Sequence, residues 1–169
     1  VYELPFLEKP LPRKNIITNL DSINRDKYIL LHKKAINKKN TKVNEFEKKL
    51  GFIINQDWFH DISLITQTSI KNSELNFNHG RILYSLVSKY IEDHLKIQQQ
   101  NITILETGTA RGFSALCMAK ALDDAKFDGS IFTIDVLPHN IRMFWNSITD
   151  HTIGKQSRKE LTTNWNNLI

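Results

Sequence analysis

The stretch Ile102-Thr103-Ile104-Leu105-Glu106-Thr107-Gly108-Thr109-Ala110-Arg111-Gly112-Phe113-Ser114 decides the fold. Its β-branched opening run has the composition of a short buried strand, and the glycines that follow forbid its continuation. From Phe113 to Leu122 the apolar positions Ala115, Leu116, Ala119 and Leu122 recur at helical spacing. Asp123, Asp124, Asp128 and Gly129 then form a polar loop, and Ser130-Ile131-Phe132-Thr133-Ile134 is a second strand ending at Asp135. Strand, glycine turn, helix, loop and strand make a βαβ unit with parallel strands and a right-handed crossover.

Upstream, the spacing predicts a helix from Asn78, an N-cap residue, with Ile82, Leu83, Leu86, Val87, Tyr90, Ile91 and Leu95 on one face. The polar run Lys96 to Asn101 ends it. Val43, Phe46 and Leu50 predict an earlier helix stopped by Gly51, and Phe52 to Ile70 is read as helical. Residues 1–30, with Pro5, Pro10 and Pro12, are expected to be irregular. Beyond Pro138, residues 141–148 and 157–169 are expected to be helical. The expected class is α/β: the start of a Rossmann-like parallel sheet, its first βαβ unit, behind a mostly helical leader. Residues 1–77 form that helical and irregular leader, and residues 78–169 form the amino-terminal part of a ligand-binding domain. With Val1 in place of Met and no stop signal near Ile169, the chain is expected to be a piece of a longer polypeptide and the domain to be incomplete, truncated at its C-terminus.

The carboxyl edge of a parallel sheet is where such folds bind ligands, and a glycine turn that opens a helix places backbone N–H groups and the positive helix end there. Asp135 ends the second strand on the same edge, where a carboxylate can accept two hydrogen bonds from the vicinal hydroxyls of a ribose. The glycine order is G-x-x-x-G rather than the dinucleotide G-x-G-x-x-G. Glu106, two residues before the first glycine, would repel a pyrophosphate but attract an ammonium group. S-adenosylmethionine carries an ammonium, a sulfonium and a ribose and no phosphate, so it is the expected cofactor.

At Glu106, Gly108, Gly112 and Ser114, an E-x-G-x-x-x-G-x-S pattern, and at Thr133-Ile134-Asp135, the chain resembles the class I S-adenosylmethionine-dependent methyltransferases, most of all their O-methyltransferase-like branch. The match covers about residues 100–136. The resemblance implies that Glu106, Thr107, Gly108, Thr109, Ala110, Gly112 and Ser114 line the methionine side and that Asp135 holds the ribose. It also implies methyl transfer, most simply to an oxygen of a small-molecule or sugar acceptor. The later strands of that family's core have no counterpart here, so neither a catalytic base nor a metal requirement can be named. Two other readings stay open: an NAD-type oxidoreductase on the same βαβ logic, and a non-catalytic fragment or interaction module.

With 40% hydrophobic and 24% charged residues, the composition of the 169-residue chain excludes collagen-like and wholly disordered classes. The net charge of +5 arises within the first hundred residues, densest at Lys33, Lys34, Lys38, Lys39 and Lys42. No aromatic residue interrupts that cluster, so it is read as a solvated loop and not as a nucleic-acid surface. No apolar run approaches the ~18 residues that cross a bilayer, so no membrane partner is expected. A lone cysteine, Cys117, excludes an internal disulfide and suggests a reducing, cytoplasmic setting, with Cys117 in the core. His79, His139 and His151 show no ligand spacing, so no metal site is expected. Arg111 is expected to face solvent, and Trp145 and Trp165 are expected to pack.

Overall fold

The computed structural model describes residues 24–95 and 101–165. The expectations for the three early prolines, the glutamine run and the last residues of the final helix lie outside the described residues. The described chain is mixed α/β, with six helices and one two-stranded parallel sheet. Helices α1 (Arg25–Ile36), α2 (Thr41–Leu50) and α3 (Gln56–Ile62) come first, so residues 25–30, expected to be irregular, are helical. Each has an asparagine at its N-cap: the side chains of Asn24, Asn40 and Asn55 accept from the N–H groups of Asp26, Val43 and Trp58. Gly51, at φ 82°, closes α2 as its position predicts. The segment from Phe52 to Ile70 is helical only in its middle, where α3 widens into a π-helical turn at Ser63–Gln67. The lysine cluster spans the end of α1 and the start of α2, so its cations are exposed on helices and a short connection and not on one long loop.

Helix α4 (Asn78–Tyr90) begins at Asn78 itself. Phe77 stands at the N-cap without a side-chain cap, and the Asn76 side-chain oxygen accepts from the Asn78 N–H. Its expected apolar stripe is also displaced. Tyr84, Ser85, Ser88 and Ile91 are buried, whereas Leu86 and Tyr90 are 46% and 50% exposed. At Gly80, α4 crosses α5 (Phe113–Asp124) closely. A Cβ on Gly80 would stand 2.7 Å from the Phe113 ring and from Cys117 Sγ. Ser85 is buried against the link after α2, giving its hydroxyl to main-chain oxygens of Phe52 and Arg81. One core, with Ile54, Phe59, Ile62, Phe77, Tyr84, Phe113, Leu116 and Cys117, draws on both sides of residue 77.

Strands β1 (Ile102–Thr107) and β2 (Gly129–Ile134) pair in parallel, with Glu106 opposite Thr133. They are not buried on both faces as a β-branched run suggests. Burial alternates along β1 and over most of β2, and Leu105, Phe132 and Ile134 are more than half exposed. Among the described residues only one face of the sheet carries helices, so the alternation of side chains becomes an alternation of exposure.

After β2 the chain departs furthest from expectation. Residues 141–148 are not a helix. They hold an antiparallel bridge, Met143 to Gln156, and lead into a single 3₁₀ turn at Ile148–His151. Asp150 fastens this segment by accepting from the N–H groups of Trp145 and Ser147, and Trp145 Nε1–H donates to the Gln156 carbonyl. Helix α6 (Arg158–Trp165) follows, entered through a reciprocal box in which Ser157 and Glu160 each accept from the other's N–H. No helix among the described residues is long and apolar enough to cross a membrane.

Candidate functional site

The turn from β1 to α5 has three left-handed residues within five positions: Gly108 at φ 89°, Ala110 at 45° and Gly112 at 84°. A Cβ at Gly108 would meet nothing within 4 Å, so its glycine serves the backbone angle and leaves open space above the turn. Ala110 has no such licence and is held in place by a hydrogen bond from its N–H to Asp135 Oδ2, 2.6 Å. Gly108 N–H donates to the Ile134 carbonyl at 2.7 Å, which continues the strand ladder into the turn. Helix α5 starts at Gly112 with no side-chain cap, leaving its first N–H groups toward the turn.

Glu106 and Asp135 lie on the same carboxyl edge and on the helix-covered face, each within electrostatic reach of the other. Burial pushes the Glu106 carboxyl above its usual range. The Ser114 hydroxyl bond and Arg158 work against that rise, and the charge of Asp135 adds to it. Glu106 Oε2 is buried without a hydrogen-bond partner among the described residues. Asp135 is the opposite case. Burial would raise it as well, but the N–H groups of Ala110 and Leu137, with Arg158 behind them, hold it below the usual carboxylate range. Leu137 N–H donates to its Oδ1 at 2.7 Å.

The eight residues expected at the site therefore divide. Glu106, Ser114 and Asp135 converge, and Gly108, Ala110 and Gly112 shape the turn between them. Thr109 turns inward, buried, its hydroxyl donating to Thr133 at 2.7 Å, so only its main chain faces the turn. Thr107 is exposed and lies on the sheet face without helices. Cys117 is fully buried, and burial pushes its thiol up, as its core position predicts.

Two arginines line the turn from behind. Arg111 does not face solvent. It is 8% exposed, and its guanidinium donates to the carbonyls of Thr66, Thr68, Trp145 and Asn146 at 2.6–3.0 Å. Burial pulls its pKa down to about 10, with Asp150 and Tyr28 opposing. It ties the glycine turn to α3's extension on one side and to the segment after β2 on the other. Arg158 opens α6 and is 5% exposed, with its guanidinium 5.5 Å over the Trp145 ring. Its Nη2 stands 3.3 Å from Asp135 Oδ1, too poorly aligned for a hydrogen bond, and neither Nε nor Nη2 has another partner. The sequence held one signal for it: a cation just after Ser157, at the first position of an S-x-x-E helix start, opposes the helix dipole and needs another reason to be there.

The site can offer an unpaired carboxylate oxygen to a cationic group, a second ionised carboxylate to donors, and open main chain above Gly108. These features fit an ammonium at Glu106. Asp135 already holds two N–H donors and a neighbouring cation. Among the described residues no group of three or more His, Cys, Asp or Glu could hold a metal ion. The chain matches no family model, no curated protein and no solved structure.

Proposed function

We propose that β1, α5 and β2 are the first βαβ unit of a Rossmann-like fold that binds S-adenosylmethionine, and that the protein is a methyltransferase acting on an oxygen of a small-molecule or sugar acceptor. The observation that carries this reading is the buried, partnerless oxygen of Glu106 beside Asp135 on one sheet edge. A buried carboxylate oxygen without a donor is costly, and a ligand ammonium would supply the donor. Bound S-adenosylmethionine would bring an electrophilic methyl group on its sulfonium. The chain's part is to hold that molecule: Glu106 toward the ammonium, the turn from Gly108 to Gly112 beneath it, and Asp135 toward the ribose. Ser114 keeps Glu106 oriented through its hydroxyl. A cytoplasmic setting goes with this reading.

The NAD-type alternative places a pyrophosphate at the same turn, next to Glu106, where like charges repel. Calorimetric titration separates the two. S-adenosylhomocysteine is expected to bind and NADH not to, and the reverse pattern overturns the proposal. Asp135→Asn should weaken S-adenosylhomocysteine by about 1–3 kcal/mol, the scale of lost hydrogen bonds to a charged group. Unchanged affinity would remove Asp135 from the ribose assignment.

A further inference from the structure

Asp135 is the acid assigned to the ribose, yet it is engaged from inside the chain. A carboxylate has about four acceptor positions, two on each oxygen. The Ala110 N–H takes one on Oδ2 and the Leu137 N–H takes one on Oδ1. Arg158 Nη2 lies 3.3 Å from Oδ1, off the line of a hydrogen bond but close enough to crowd the side of that oxygen. Recognition of a vicinal diol uses one position on each oxygen. Arg158 therefore crowds an oxygen whose remaining position a ribose needs.

The contact is built to be given up. Its geometry falls short of a hydrogen bond, and the Nε–H has no acceptor. The cation sits at a helix start, where the dipole disfavours it. The helix does not depend on it, because Ser157 and Glu160 cap α6 without it. The Trp145 ring offers the guanidinium a face to rest against. We infer that Arg158 is a displaceable latch on Asp135: it crowds a diol-binding oxygen of the acid in the ligand-free protein, and a nucleoside with both ribose hydroxyls must displace it. The inference rests on the ribose assignment above and adds to it a coupling between ligand binding and α6.

The test compares the protein with its Arg158→Met variant by calorimetry, using S-adenosylhomocysteine and its 2′,3′-dideoxy analogue. The latch predicts that the variant binds S-adenosylhomocysteine roughly tenfold more tightly, an ordinary size for removing one competing contact. The dideoxy analogue, which makes no demand on Asp135, should bind both proteins alike. Equal or weaker binding of S-adenosylhomocysteine by the variant overturns the latch and leaves the methyl-donor reading standing. Binding by neither protein overturns that reading and the latch with it. If the variant does not fold, hydrogen exchange in the unaltered protein decides. Saturating S-adenosylhomocysteine should speed exchange of the first α6 amides, and unchanged or slower exchange there overturns the latch.

Discussion

Arg111 and Arg158 stand at the same glycine turn, both at least nine-tenths buried, and they are handled in opposite ways. Arg111 meets no carboxylate directly but gives hydrogen bonds to four main-chain carbonyls on two separate segments. Arg158 stands beside a carboxylate and makes no well-formed hydrogen bond through Nε or Nη2. A buried guanidinium is tolerated when its donors are used, and each unused donor costs stability. The difference separates a residue that builds the site's frame from one that stands in the site. Glu106 belongs with Arg158, since it too keeps a buried polar atom without a partner.

The comparison breaks most easily at Arg111. Arg111→Met should destabilise the fold by about 4 kcal/mol, because it leaves several buried carbonyls without a donor in addition to losing the bonds themselves. Arg111→Lys should recover only part of this, since an ammonium cannot span four acceptors in a fixed fork. Urea unfolding followed by circular dichroism measures both. A loss below ~1 kcal/mol for the Met variant would mean that those carbonyls find other donors and that Arg111 is no frame.

Glu106 sharpens the contrast with an effect of opposite sign. Its carboxyl titrates above the usual range in the folded chain, so the folded state holds its proton more firmly than the unfolded state does. Stability on this account falls as pH rises from the unfolded value through the raised folded one. At neutral pH Glu106→Gln should therefore stabilise the fold modestly, with the gain vanishing in acid. The same substitution should weaken S-adenosylmethionine, and binding to the unaltered protein should fall on acidification earlier than an ordinary carboxylate would allow. Melting curves at several pH values, paired with titrations, check both. Stabilisation without any loss of binding would separate the unpaired oxygen from the ligand.

The βαβ core was legible because its signals are local. Two short β-branched runs, a helical spacing between them and paired glycines leave few other arrangements. Glu106 and Asp135 followed from it, since parallel strands bring their ends to one edge. Less could be read where packing overrides pattern. The contact face of α4 is set by how closely Gly80 lets it approach Phe113, not by its most apolar stripe. The half-exposed sheet face depends on which elements lie over it, which a run such as Ile102 to Leu105 does not encode. Arg111 looks like a solvated turn residue until four carbonyls from distant segments converge on it. The contact between Arg158 and Asp135 joins residues separated by the whole folded-back segment around Trp145, and only the Ser157–Glu160 helix start hinted at it.

The smallest expected effect is the most discriminating. Arg158→Met should change stability by no more than ~0.5 kcal/mol, because the gain and the loss oppose each other. Asp135 would lose its cation but keep the N–H groups of Ala110 and Leu137, and the apolar side chain would keep its place against Trp145. The Nε–H, buried without an acceptor, would go at the same time. A structural ion pair behaves differently: breaking one partner away typically costs ~3–5 kcal/mol, because the remaining charge is stranded. Urea unfolding of this variant beside Arg111→Met thus reads the contrast directly. A large loss in both would make the two arginines equivalent, with α6 anchored through Asp135. A large loss at Arg111 alone leaves Arg158 dispensable to the fold, as a group that a ligand must move has to be.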